Sequence, residues 1–368
     1  MLSTRVGAGD TYSERLDGGE SCGVQAGADV FIALGCMLGL VAAFLSQTAA
    51  AEPSGSVVDS APFQVVDLHV DLPYQFLYEG RPFDEGAGQF QSKSLLRAGV
   101  SGVVLPLFVP NRVRSEGRRL ADFEQSYSRV FDQLIHHAVF LPPGCYSHPG
   151  RVRTWFSFEG VGPFSPADVL PWAARGVRIF GLVHNENNEL MSSAAVPHDF
   201  GITERGRAVM REIAKVHGLI DVSHASDEAV LEATAYAKEI GAVVIATHSN
   251  SRALAANPRN LSDALMLAIA KTGGVIGMNF HQPYVVRGRA AALKDVVTQV
   301  QHALSVVGGR HVALGSDFEG DIRPAVGLEN ASSYPALARA LLDAGIKEAT
   351  VRDVFGKNAL RLLCGEGF

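Results

Sequence analysis

Eight short runs, apolar on both alternations of the chain, constrain this sequence more than any other feature. They fall at 63 to 68 (FQVVDL), 102 to 108 (GVVLPLF), 154 to 158 (TWFSF), 177 to 183 (VRIFGLV), 218 to 222 (GLIDV), 242 to 247 (AVVIAT), 274 to 280 (GVIGMNF) and 311 to 315 (HVALG). A strand with one wet face alternates apolar and polar residues; these do not, so they suit a parallel sheet covered by helices on both sides. Helical patterns lie between them. From Gly206 to Val216 the spacing puts Val209, Ile213 and Val216 on one face. Ser226 precedes Asp227 and Glu228, a capping hydroxyl followed by carboxylates at the positive end of a helix dipole. The segments Leu261 to Lys271 and Leu293 to Val307 run into glycine pairs, Gly273 with Gly274 and Gly308 with Gly309, which read as helix stops. Strands alternating with helices in this number predict a (β/α)8 TIM-type barrel, and no G-x-G-x-x-G follows a strand to suggest an open nucleotide-binding sheet.

The rest of the chain flanks that barrel. Val30 to Leu45 is nearly uninterrupted apolar sequence, followed by the small residues Thr48, Ala49, Ala50 and Ala51. Residues 1–51 therefore read as a signal peptide cleaved after Ala51, with a retained membrane anchor as the alternative, because acidic residues outnumber Arg5 and Arg15 ahead of the apolar run. Residues 52–61 (EPSGSVVDSA) read as a linker, and 62–368 as the folded domain. Export to the periplasm or outside the cell, or association with the membrane through the leader, is the expectation. A net charge of -6 offers no basic field for nucleic acid. Outside the leader only Cys145 and Cys364 remain; two free thiols are the expectation, with pairing in an oxidising compartment as the alternative, since a sequence alone does not show whether their Cα atoms come within bridging distance.

Candidate ligands follow the strands. His69 and Asp71 come after the first run, Glu159 after the third, His184 the fourth, His224 the fifth, His248 the sixth and Asp317 the eighth. The C-terminal strand ends of a barrel converge on one face, so these residues would share one pocket. His69 and Asp71, two apart on extended chain, would point the same way. Singly, each has a structural alternative: His69 or His184 as a hydrogen-bonded core histidine, Asp71 as a turn starter, Glu159 as a helix-start carboxylate, Ser316 or Glu319 as the working group in place of Asp317. Coincidence across the whole set is the weaker reading. Asp71, Glu159, Asp317 and one hydroxide balance the charge of two divalent ions, and a mixed histidine and carboxylate set favours zinc.

These residues sit in stretches that resemble the membrane (renal) dipeptidase family: DLHVDLP, SFEG, GVRIFGLVHNENNEL, GITERGRAVMREIAKVHGLIDVSHAS, HSNSRAL with NPRNLSD, GGVIGMNF, LGSDFEG and GKNALRLL, in family order from about Val65 to Leu363. The resemblance implies two zinc ions, one held by His69, Asp71 and a bridging Glu159 with Asp317 beside it, the other by Glu159, His224 and His248. It makes His184 a substrate-binding and oxyanion-stabilising residue. It assigns Arg259, which by itself reads as a solvated loop charge, to the carboxylate of a dipeptide substrate, and it suggests a homodimer.

The expected reaction is dipeptide hydrolysis by a metal-bridging hydroxide, with Asp317 shuttling a proton and a D-residue tolerated at the C-terminal position. The alternative is another amidohydrolase-type enzyme acting on lactones, β-lactams or phosphotriesters, though the HVD start and Glu159 favour the dipeptidase. Two departures from the family pattern bear on substrate selection: the amide-rich run Asn185, Glu186, Asn187, Asn188, and Glu319 where an aspartate is usual.

Overall fold

The computed structural model describes residues 63–110 and 119–365, so the leader and linker read from the sequence lie outside the described residues. Nine strands form: β1 (Val65–Asp67), β2 (Val100–Phe108), β3 (Phe140–Pro143), β4 (Val152–Glu159), β5 (Val177–Gly181), β6 (Leu219–Asp221), β7 (Val243–Ile245), β8 (Ile276–Met278) and β9 (Val312–Leu314). All ladders are parallel, and the strands run in the order β7, β6, β5, β4, β2, β1, β9, β8. The remaining seam between β7 and β8 is closed by an Ala246–Ile276 bridge, with Ala246 N–H donating to the Val275 carbonyl at 3.0 Å and Gly277 N–H to Ala246 at 2.8 Å. The fold is a (β/α)8 barrel, and the eight apolar runs are its eight staves.

The ninth strand was not legible. β3 pairs with the first residues of β4, Phe140 beside Val152 and Pro143 beside Thr154, whereas β5 takes the same edge of β4 only from Phe156 onward. Its sequence, FLPP, lacks two backbone donors and so fits only a short edge position.

The connecting helices end where their sequences say. Ser226 accepts from Ala229 N–H at the start of Asp227–Ile240, and Ser262 does the same for Leu265 at the start of Asp263–Ala270. Val209 and Ile213 are buried on the inner face of Glu204–Lys215, with Val216 packed against the core at its end. Leu293–Val307 stops at Gly308, whose φ of 78° suits glycine. Glycine also makes the seam possible. A Cβ on Gly277 or Gly315 would stand 1.9 or 1.8 Å from the Thr247 carbonyl oxygen, so β8 and β9 approach the end of β7 only because neither carries a side chain there.

Two apolar layers result. The larger lies between the strands and the helices. The smaller gathers Val66, Val104, Trp155, Ile179, Leu219, Ile245 and Ala313 from seven different strands, which can meet only inside a closed barrel. Ala359, Leu360 and Leu363 of the last helix, Asn358–Cys364, join that inner cluster and plug the barrel from one end. That helix also corrects the expectation of free thiols: Cys364 at its end and Cys145, after β3, form a disulfide with Cα atoms 5.6 Å apart. The pairing depends on a terminal helix turning beneath the barrel, which no local sequence signal announces. Among the described residues no helix is long and apolar enough to cross a membrane.

Closing so long a loop should matter energetically, since a cross-link restricts the unfolded chain more the farther apart its ends. Replacing both cysteines by serine is expected to lower the unfolding free energy by about 2–5 kcal/mol, read from urea titrations. An unchanged midpoint would mean that apolar packing alone holds the plug.

Candidate metal centre

Four of the predicted ligands share one address. His184, His224, His248 and Asp317 each lie three residues beyond the end of their strands, which end at Gly181, Asp221, Ile245 and Leu314; Glu159 is the last residue of β4. His69 and Asp71 follow β1 directly. The buried carboxylate of Asp67, the last residue of β1, accepts from the His69 and Ser316 backbone N–H groups, both at 3.0 Å, and from the Tyr334 hydroxyl. It therefore stitches the end of β1 to the end of β9 and sets His69 beside Asp317, whose own N–H donates to the His69 carbonyl at 3.1 Å.

The side chains meet as three overlapping trios: His69, Asp71 and Glu159; Glu159, His224 and His248; His69, His248 and Asp317. Glu159 is their hub. His224 Nε2 lies 2.8 Å from its Oε1, His248 Nε2 3.7 Å and His69 Nε2 3.8 Å, with His69 Nε2 also 3.4 Å from Asp71 Oδ2. The outer nitrogens of these rings are engaged: Asn185 Oδ1 lies 2.9 Å from His224 Nδ1 and Thr247 Oγ1 2.9 Å from His248 Nδ1, which suits N–H at both Nδ1 atoms and lone pairs at both Nε2 atoms. Those two Nε2 atoms face each other at 3.0 Å beside a carboxylate oxygen. Two imidazole nitrogens and a carboxylate oxygen converging this closely make a donor set that fits a cation.

The electrostatics agree. Burial, together with the charge of Arg259, holds His224 well below the usual histidine range; burial and the neighbouring His69 do the same for His248, leaving both rings neutral as ligands must be. Burial disfavours a charge on His69, yet Asp71 and Glu159 raise it to about 10. Burial, reinforced by Asp71 and Glu159 against the opposing His69, lifts Asp317 to about 7. Surplus negative charge at this end of the barrel is thus drawing in protons where positive charge is wanted.

Above the trios opens a cavity of about 320 Å³, lined by Asp71, Glu159, His184, His224, His248 and Asp317, and further by Arg259, Tyr74, Phe108, Asn185, His281, Tyr284 and Asp321. This is large enough for a small ligand. His184 packs between Phe108 and His224, with ring centroids at 4.4 and 4.3 Å and the rings tilted by 50° and 47°. Arg259 is not a solvated loop charge. It is 7% exposed and lies over the Tyr284 ring at 5.6 Å; among the described residues its side chain makes only long contacts, to Ser249 Oγ (3.5 Å) and the His248 carbonyl (3.3 Å), and its Nε has no hydrogen-bond partner. A buried, under-satisfied guanidinium in a cavity wall is built to receive an anion.

Several working residues escaped the sequence reading. Asn185 orients His224, and Asn279 Nδ2 donates to Asp317 Oδ2 at 2.9 Å. The other amides of the run after His184 shape its loop: Asn188 Oδ1 accepts from Leu190 and Met191, and Asn187 Oδ1 from Ser193. Glu319 does not line the cavity. It is buried, and its carboxylate accepts from the backbone N–H groups of Ala87, Gln89 (2.8 Å) and Phe90 (2.6 Å), anchoring the loop that carries Asp317 to the segment before β2. A polar residue next to a strand-end histidine was the available signal for Asn185.

Comparison with known proteins bears on these observations. The family model described as membrane dipeptidase (peptidase family M19) matches residues 60–365. Dipeptidase aclJ of Aspergillus oryzae is 31% identical over 272 residues, which cover 69% of this chain and 63% of that protein, so the chain spans under two thirds of this relative. An uncharacterized dipeptidase of Schizosaccharomyces pombe is 30% identical over 332 residues, 82% of this chain and 80% of that one. A metallopeptidase structure from Rhodobacter sphaeroides, liganded with a phosphinate mimic of the dipeptide L-Ala-D-Ala, has the same fold: TM-score 0.71 at 21% identity, covering 83% of this chain and 99% of that one.

A ligand that binds only the folded state raises stability by mass action. Zinc added to chelator-treated protein is expected to raise its thermal unfolding midpoint, and Glu159→Gln, at the hub of two trios, to abolish most of that rise. A full rise in the Glu159→Gln protein would remove Glu159 from the centre.

Proposed function

Because the chain belongs to the membrane dipeptidase family, matched from residue 60 to 365, we propose that it hydrolyses dipeptides using two divalent ions, zinc by the chemistry of the donors. His69, Asp71 and Glu159 would hold one ion, with Asp317 beside it, and Glu159, His224 and His248 the other. When bound, the pair would polarise the scissile carbonyl and make a water nucleophilic at neutral pH. The observation that carries the reading is the pair of imidazole nitrogens facing each other 3.0 Å apart beside Glu159.

The chain's own residues supply the rest. Asp317 would take the proton of the attacking water and pass it to the leaving amine. Its Oδ2 is fixed by Asn279, so the carboxylate keeps its orientation through the transfer. His184, between Phe108 and His224 on the cavity wall, would donate to the oxyanion that develops on the carbonyl. Arg259 would bind the terminal carboxylate of the substrate, which favours two-residue peptides because a longer chain would run into that charge. On the opposite flank, Asp321 lines the cavity near Asp71, where it would attract the free amino group. A D-residue at the C-terminal position is part of the proposal, since an anchor on the carboxylate does not by itself fix the side chain's hand. Export is part of it too, and the Cys145–Cys364 disulfide supports an oxidising compartment.

The test is turnover of an L,L and an L,D dipeptide by the zinc-loaded full chain. Hydrolysis lost on chelation, and reduced more than about 100-fold by Glu159→Gln, is expected; two bound ions with neither dipeptide cleaved would overturn the reading. Arg259→Met is expected to raise KM by about 10- to 100-fold with a smaller effect on kcat, and to make no difference to a C-terminally amidated dipeptide.

A further inference from the structure

Beneath the trios lies a second polar layer that the chemistry above leaves unused. Asp221, the last residue of β6, is buried, and each of its contacts comes from a donor: Ser223 N–H (3.0 Å), Ser223 Oγ–H (2.6 Å) and Thr247 N–H (3.0 Å) on Oδ1, and the Thr247 hydroxyl (2.6 Å) on Oδ2. The one proton of the Thr247 hydroxyl is thereby committed to Asp221. Its oxygen keeps two lone pairs, and two imidazole nitrogens face it: His248 Nδ1 at 2.9 Å and His69 Nδ1 at 3.5 Å. An accepting oxygen suits N–H at both positions, so on both rings Nε2 is the atom available to a metal beside the carboxylates. The two rings belong to different trios, His69 with Asp71 and Glu159, His248 with Glu159 and His224.

We propose that Thr247, oriented by Asp221, is a shared positioning residue that holds the ligating tautomer of one histidine at each metal position, so that a single hydroxyl conditions both ions. The inference rests on the two-ion reading above. Its logic is one of proton direction. If the hydroxyl were turned round, its single proton would go to one ring, His248 being the nearer, whose own proton would move to Nε2 and block that position.

Zinc affinity of the chelator-stripped full chain, measured by competition with a chromophoric chelator, tests this without reference to turnover. Thr247→Val, which keeps the shape and removes the hydroxyl, is expected to weaken both ions by about 10- to 100-fold, the usual effect of losing an outer partner of a ligand. Asp221→Asn should weaken chiefly the ion held by His248, because its amide would donate to Thr247 Oγ1 and turn the hydroxyl's single proton toward the nearer ring, and it serves if Thr247→Val does not fold. Thr247→Ser should restore both affinities. Thr247→Ser is the arm that separates positioning from a structural role, since it returns the hydroxyl without the methyl. Loss of only one ion in Thr247→Val, or no recovery in Thr247→Ser, overturns the proposal. A wild-type chain that saturates with a single zinc would instead sink the two-ion reading on which it rests.

Discussion

One carboxylate organises the molecule. Glu159 has four imidazoles within reach, His224 at 2.8 Å, His248 at 3.7 Å, His69 at 3.8 Å and His184 at 3.9 Å, and each ring comes from the end of a different strand. No open sheet brings five strand ends around a point; a closed barrel does so by symmetry. The requirement runs back into the packing. Side chains along a strand alternate between faces, so a one-residue slip of β4 would turn Glu159 out of the cluster. Its register is held by seven consecutive pairings with β2, from Gly102 beside Arg153 to Phe108 beside Glu159.

This explains what was readable in advance and what was not. The staves were legible because burial on both faces leaves an apolar signature that needs no partner to interpret. The ligands were legible because each follows such a run at a nearly constant offset. Asn185, Asn279 and Thr247 were not, since an amide or hydroxyl acquires its role from a partner brought in across the barrel: Asn185 serves a histidine 39 positions later and Asn279 an aspartate 38 positions later. Arg259 was legible only by resemblance, because burial of a loop arginine depends on Tyr284 and the end of β7 closing over it.

The loop after β9 is the clearest case of local strain held by distant support. Asp317, Glu319 and Asp321 adopt φ values of 67°, 70° and 56°, a region that non-glycine residues enter at some cost. Glu319 secures the loop through three backbone donors from residues 87–90, and Gln75 Nε2 adds a 2.7 Å bond to the Glu319 carbonyl. A glycine at 86 is part of the same fit, because a Cβ there would collide with the Glu319 carboxylate. The extra methylene of glutamate over aspartate lets the carboxylate span that gap. What reads in sequence as a departure near the site is a tie beneath it.

The disulfide adds a topological property. Cys145 and Cys364 are 219 residues apart, and the covalent ring they close contains β4 through β9 with Glu159, His184, His224, His248, Arg259 and Asp317. Of the strands, β1, β2 and β3 stand outside it, and with them His69 and Asp71. A protease that severs any exposed loop within the ring therefore opens a circle without releasing a fragment: both new ends stay attached to the same molecule. A single nick in this part of the chain would leave one object and not two.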